Sequence, residues 1–115
     1  MKSKDLMIGN WVYNKNIGKN MQVYPMMFSQ MFRQNPDATT EDYNIFPVLL
    51  MPEILEKNGW IEASGYWVLK GYSTRLGWRN GEMVIGYAAL PEKILYVHEL
   101  QNLMKAVKIE KEMVL

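Results

Sequence analysis

The stretch Pro52-Glu-Ile-Leu-Glu-Lys-Asn-Gly-Trp-Ile-Glu-Ala-Ser-Gly-Tyr-Trp-Val-Leu-Lys70 holds the two kinds of signal from which the architecture of this chain can be read. Its first half opens on proline, whose fixed φ suits the first helical position. An acid follows in the first turn, and Asn58-Gly59 stands at the far end. A short helix over Pro52 to Asn58 is predicted. The second half changes period: Trp60-Ile-Glu-Ala63 and Tyr66-Trp-Val-Leu-Lys70 are β-prone runs parted by Ser64-Gly65.

Toward the C-terminus the same pattern continues. Asn80-Gly81 separates Tyr72 to Arg79 from Glu82 to Tyr87, and Asn-Gly favours a tight hairpin because both of its residues tolerate positive φ. An antiparallel meander is therefore expected, closed by Pro91 and followed by one more short strand over Ile94 to Val97. Beyond it, Leu100, Leu103, Met104 and Val107 fall at i, i+3, i+4 and i+7, the spacing of a helix with one apolar face. His98, Asn102 and Lys105 are expected on the opposite side.

Toward the N-terminus, Ile8-Gly-Asn-Trp-Val-Tyr13 is β-prone. The turn-rich Asn14-Lys-Asn-Ile-Gly-Lys-Asn20 and the extended Met21 to Tyr24 complete a hairpin. Tyr24 to Phe32 fits both periods: Tyr24, Phe28, Met31 and Phe32 would share a helical face, while Met27, Ser29 and Met31 alternate. The alternation favours a strand. Gln34 to Asp42 is polar, acidic and contains proline, and is expected to be an exposed loop. The fold class expected is α+β: N-terminal antiparallel strands, with a partly closed SH3-like barrel as a variant, then helix, antiparallel meander and C-terminal helix. One domain spans residues 1–115, with a β-rich lobe 1–50 and a helix-meander-helix lobe 51–115.

Composition narrows the functions available. At 115 residues, 49% hydrophobic and 22% charged, the chain has ordinary globular usage. Folding is expected to bury roughly 65% of its extended surface. The absence of cysteine removes disulfides, thiolate metal sites and cysteine nucleophiles, and with a single histidine no zinc site can be assembled from the usual ligands. The glycines at 59, 65, 71, 77, 81 and 86 form neither a P-loop nor a GxGxxG fingerprint. Glu53 and Glu56, three apart on the predicted helix, read as solvated surface charge rather than a catalytic pair. No cofactor and no metal are expected. The opening MKSKDLMIGNW lacks the apolar run of a signal peptide and nothing approaches a membrane span, so the expected location is cytoplasmic.

His98 is the one residue on which an enzyme would turn. General acid-base catalysis needs a second titratable group within hydrogen-bond reach, and no neighbouring motif supplies one. Placed between a strand end and a helix, His98 is read instead as a helix-start or surface residue whose imidazole accepts a bond from a free backbone N–H.

Two other features bear on partners. Charge is uneven although the net charge is only +1: residues 1–35 carry +4, through Lys2, Lys4, Lys15, Lys19 and Arg33 against Asp5, and residues 36–62 carry −5. The acidic middle is read as the intramolecular complement of the basic end. Aromatic residues crowd the strands. Tyr66 and Trp67, being adjacent, point to opposite faces of their strand, which leaves one of them near the surface. Trp60, Tyr66, Trp67 and Trp78 are the candidate partner surface, since interfaces enrich aromatics; helices covering both faces of the meander are the alternative.

Leu49-Leu-Met-Pro-Glu-Ile-Leu-Glu-Lys-Asn-Gly-Trp60 together with Tyr96-Val-His-Glu-Leu-Gln-Asn-Leu103 resembles a group of short uncharacterised proteins of Bacteroides-type gut bacteria, their prophages and mobile elements. In that group an EILEKNGF-like helix similarly precedes a small sheet and a YVHQLQNL-like helix, and Ile8-Gly-Asn-Trp-Val-Tyr13 is similar to its opening strand. Trp60 stands where the group usually has Phe, and residues 25–43 form a long insert. The resemblance implies an α+β fold and supplies no activity. The expectation is a noncatalytic interaction module or accessory protein of a phage or mobile element, with a protein partner or itself. The alternative is nucleic-acid binding, with Lys2, Lys4, Lys15, Lys19 and Arg33 on phosphates and Trp11 or Tyr13 for stacking. An enzyme using His98 ranks third.

Overall fold

The structure, a computed structural model, describes residues 5–32, 39–63, 66–69, 75–79, 82–85, 88–89, 96–106 and 108–115. In chain order its elements are β1 (Trp11–Asn14), β2 (Lys19–Gln22), α1 (Pro25–Phe32), a 3₁₀ turn (Thr40–Tyr43), β3 (Ile45–Pro47), α2 (Pro52–Lys57), β4 (Trp60–Ala63), β5 (Tyr66–Leu69), β6 (Arg75–Arg79), β7 (Glu82–Ile85), β8 (Ala88–Ala89) and α3 (Val97–Ala106). The protein is α+β. Its described strands form two antiparallel sheets, of order β2-β1-β3 and β4-β5-β6-β7-β8, and neither is a closed barrel. The chain divides into two units, Met1–Leu49 with Tyr96–Lys108, and Leu50–Leu95 with Ile109–Leu115. Helix α3 thus belongs with the N-terminal strands, and the last residues belong with the meander.

In the first unit, β1 pairs with β2 so that Val12 faces Met21 and Asn14 faces Lys19, and pairs with β3 so that Val12 faces Pro47. Leu6, Val12, Val23, Met27 and Ile45 form a buried cluster, with Met21 and Tyr43 packed against it. Each such aliphatic side chain contributes about 2 kcal/mol by leaving water. Helix α3 packs on β1 and buries Val97, Leu100 and Met104.

Three expectations are corrected in this unit. Residues 25–32 are helical rather than extended. Pro25 sets the φ of the first helical position, and Met27 of this helix joins Val23, which precedes it, in the buried cluster. The polar loop before β3 is, over its described part, a 3₁₀ turn with Thr40 fully buried, closed by Asn44 in the left-handed region at φ 60; residues 33–38 lie outside the described residues. The short strand over Ile94 to Val97 does not extend to Val97, which opens α3; residues 94 and 95 lie outside the described residues. Tyr96 makes only an isolated bridge with Leu49, and the Val97 N–H donates to Val48 O at 2.9 Å.

The second unit follows the sequence more closely. Helix α2 starts on Pro52, buries Leu55 and is capped by Asn58, after which Gly59 takes φ +86, a conformation that L side chains rarely adopt. The pairing of Ala63 with Tyr66 and of Arg79 with Glu82 leaves two residues at each hairpin connection, as Ser64-Gly65 and Asn80-Gly81 require. Trp60 lies opposite Leu69 and Glu62 opposite Trp67, so Trp60, Trp67 and Leu69 share the buried face, while Ile61 and Val68 share the other. Ile109 and Met113 from the chain end are also buried.

Candidate functional site

The densest polar construction among the described residues joins the two ends of the first unit. Met7 to Asn10 form a tight turn: the Asn10 N–H donates to Met7 O at 3.0 Å, and Gly9 sits third in the turn at φ +91, which a side chain would oppose. The buried Asn10 locks the turn from inside, its Oδ1 accepting the Met7 N–H at 2.7 Å. From α3, Gln101 straddles the same turn. Its Oε1 accepts the Trp11 N–H at 2.7 Å and its Nε2 donates to Gly9 O at 3.0 Å. Asn102 accepts from Asn10 Nδ2 at 2.9 Å and donates through its own Nδ2 to Asp5 O at 3.1 Å. Helix α3 therefore has a polar edge of two amides that satisfies backbone groups left open where the chain turns into β1.

That turn determines which side chains face outward. Ile8, at its tip, is 55% exposed. The Gly9 N–H donates to Val23 O and the Val23 N–H to Asn10 O, both at 2.8 Å, which sets the turn beside the residues entering α1. There Tyr24 is 48% and Met26 66% exposed. Leu6, Met7, Ile8 and Lys105 line an open groove of about 240 Å³. One region of the unit thus presents three large apolar side chains and, at the groove, one lysine.

His98 is not where the helical pattern put it. It is buried, 4% exposed, rather than on the polar face. Its ring stacks on Tyr96 at 5.9 Å between centroids, and its Nδ1 makes no hydrogen bond. Burial holds the imidazole pKa below its ordinary value by disfavouring the charged ring, against the opposing pull of the Glu99 and Asp5 carboxylates. Nor does His98 start the helix through an imidazole nitrogen. Glu99 does so, its Oε1 accepting the Tyr96 N–H at 2.9 Å in half of a capping box.

Of the four aromatic residues expected as a surface on the meander, two are buried. Trp60 and Trp67 are 2% and 5% exposed and belong to the core. Their indoles sit on the one face that Leu69 shares, which periodicity alone could not select. The side chains of Tyr66 and Trp78 lie outside the described residues. Of the five basic residues, Lys15 and Lys19 are exposed on the β1–β2 hairpin, where Tyr13 is also exposed; Lys2, Lys4 and Arg33 lie outside the described residues. Glu53 and Glu56 are exposed on α2.

Sequence reasoning missed Asn10, Gln101 and Asn102 as a set. The signal was present as amides within two motifs already singled out, but nothing local pairs residues some ninety positions apart. Among the described residues no group of three or more His, Cys, Asp or Glu is placed to hold a metal ion, and no helix is long and apolar enough to cross a membrane. No protein-family model matches the chain, and no curated protein or solved structure matches it either.

Proposed function

We propose that the chain is a noncatalytic interaction module, a cytoplasmic accessory protein of a phage or mobile element, that engages a protein partner or a second copy through Ile8, Tyr24 and Met26. The observation that carries this reading is their common placement. Ile8 at the turn tip leaves more than half of its surface in water, yet a buried asparagine and a helix-borne glutamine hold that turn in place. Exposed apolar side chains on a rigid support suit a docking surface. The burial of His98 supports leaving it out of chemistry, because a general base has to reach its substrate.

The test uses the tagged full-length chain and an Ile8→Asp/Met26→Asp variant, each captured from host lysate with and without nuclease and each sized by light scattering. A protein partner or self-association that survives nuclease and is lost in the variant is expected. Retention of the same species by the variant overturns the proposal. Recovery of nucleic acid alone, abolished by nuclease, favours the second reading, which rests on exposed Lys15 and Lys19 beside exposed Tyr13.

A further inference from the structure

The three-stranded sheet of the first unit has a covered face and an open one. Side chains alternate along a strand, and with Val12 opposite both Met21 and Pro47 and Asn14 opposite Ile45, the residues Val12, Met21 and Ile45 share the face that carries the buried cluster. Trp11, Tyr13 and Phe46 therefore share the other face, together with Asn20 and Gln22 of β2. Tyr13 is central to it, lying opposite Phe46 on one side and Asn20 on the other, while Trp11 lies opposite Gln22. None of these five is buried: Tyr13, Asn20 and Gln22 are exposed, and Trp11 and Phe46 are half-buried.

The charge beside this face has one sign. Lys15 continues the line of Trp11 and Tyr13 past the end of β1, its N–H donating to Asn44 O at 2.9 Å, and Lys19 lies opposite Asn14 at the hairpin end of β2. Both lysines are exposed, and residues 6–36 contain no acid. The described acids nearest in the chain are Asp5 before these strands and Glu41 and Asp42 in the 3₁₀ turn before β3, so the β1–β2 hairpin itself carries only positive charge.

We propose that this face is a stacking platform for a single-stranded nucleic acid, on which Tyr13, Trp11 and Phe46 take base faces, Asn20 and Gln22 bond base edges, and Lys15 and Lys19 contact phosphates. The combination singles out that occupant. Aromatic rings on a sheet stack on unpaired bases whatever their sequence, and a duplex hides those faces. Side-chain amides both donate and accept, as base edges require. Two cations on a hairpin without a carboxylate suit a polyanion. The platform assigns a site to the second reading above, on which it rests, and it shares no residue with the Ile8, Tyr24 and Met26 surface.

The experiment measures fluorescence anisotropy of labelled oligo(dT), oligo(U) and a duplex, each about 16 nucleotides long, with the full-length chain over a range of salt. Binding of a single strand is expected, with the duplex about tenfold weaker or more, and the tighter of the two single strands tells DNA from RNA. Tyr13→Ala should weaken it by about tenfold, whereas Tyr13→Phe, which keeps the ring, should bind as the wild type does. Lys15→Gln with Lys19→Gln should flatten the slope of log affinity against log salt by about 0.7 for each lysine, and this exposed pair reads the site even where Tyr13→Ala disturbs the sheet. Failure of both single strands to bind the wild type overturns the platform and the second reading together. Binding that is unchanged in Tyr13→Ala and in the lysine pair, or that is abolished by Ile8→Asp/Met26→Asp, overturns the platform alone.

Discussion

A single buried imidazole makes the sharpest residue-scale prediction. The folded chain binds the His98 proton less tightly than the unfolded chain does. As pH falls below about 6.5 the unfolded state therefore takes up the proton first, and stability declines until the lower folded pKa is passed. Urea titrations across that window should show the decline, and His98→Leu should flatten the part that belongs to this residue. At neutral pH the same substitution is expected to leave stability unchanged or raise it by up to about 1 kcal/mol, because it removes a buried nitrogen that makes no hydrogen bond. Asn58 behaves oppositely. Asn58→Asp places carboxylate oxygens against the carbonyls of Ile54 and Val114, and a loss of about 2–3 kcal/mol is expected from the same titrations.

At the scale of elements, α3 is held by two devices that can be separated. Glu99→Ala removes the acceptor for the Tyr96 N–H and should cost about 1 kcal/mol, seen as a lower urea midpoint. Gln101→Ala exposes the failure of a different link, since both the Trp11 N–H and Gly9 O lose their helix-borne partner. Asn10→Ala and Asn102→Ala share one hydrogen bond, so a double-mutant cycle between them should return a coupling of about 0.5–3 kcal/mol rather than additivity. Helix α2, the two Gly-containing hairpin connections and the β1–β2 hairpin were legible locally, because proline, Asn-Gly and alternation act within a few residues. Helix α1 was misread because its apolar residues satisfy both periods and local spacing does not choose between them.

For the whole molecule, both units are discontinuous in sequence. The first needs Val97, Leu100 and Met104 of α3 to complete its burial, and the second needs Ile109 and Met113. A chain ending at Leu95 is therefore expected to lose cooperative unfolding, with collapse of amide dispersion in a two-dimensional NMR spectrum; a sharp transition would show that the strands suffice. Contacts spanning some ninety residues also raise the mean sequence separation, which slows folding.

By itself the sequence determined the α+β class, the proline-started helix, the meander and its two-residue connections, since these follow from backbone preferences of neighbouring residues. Tertiary structure alone decided that His98 and Trp67 lie inside, that Glu99 rather than His98 caps α3, and that two amides near one end grip a turn near the other. The physical reason is common to all three. Burial and long-range hydrogen bonding depend on which faces meet in space, and local periodicity names the faces of an element without saying what they meet.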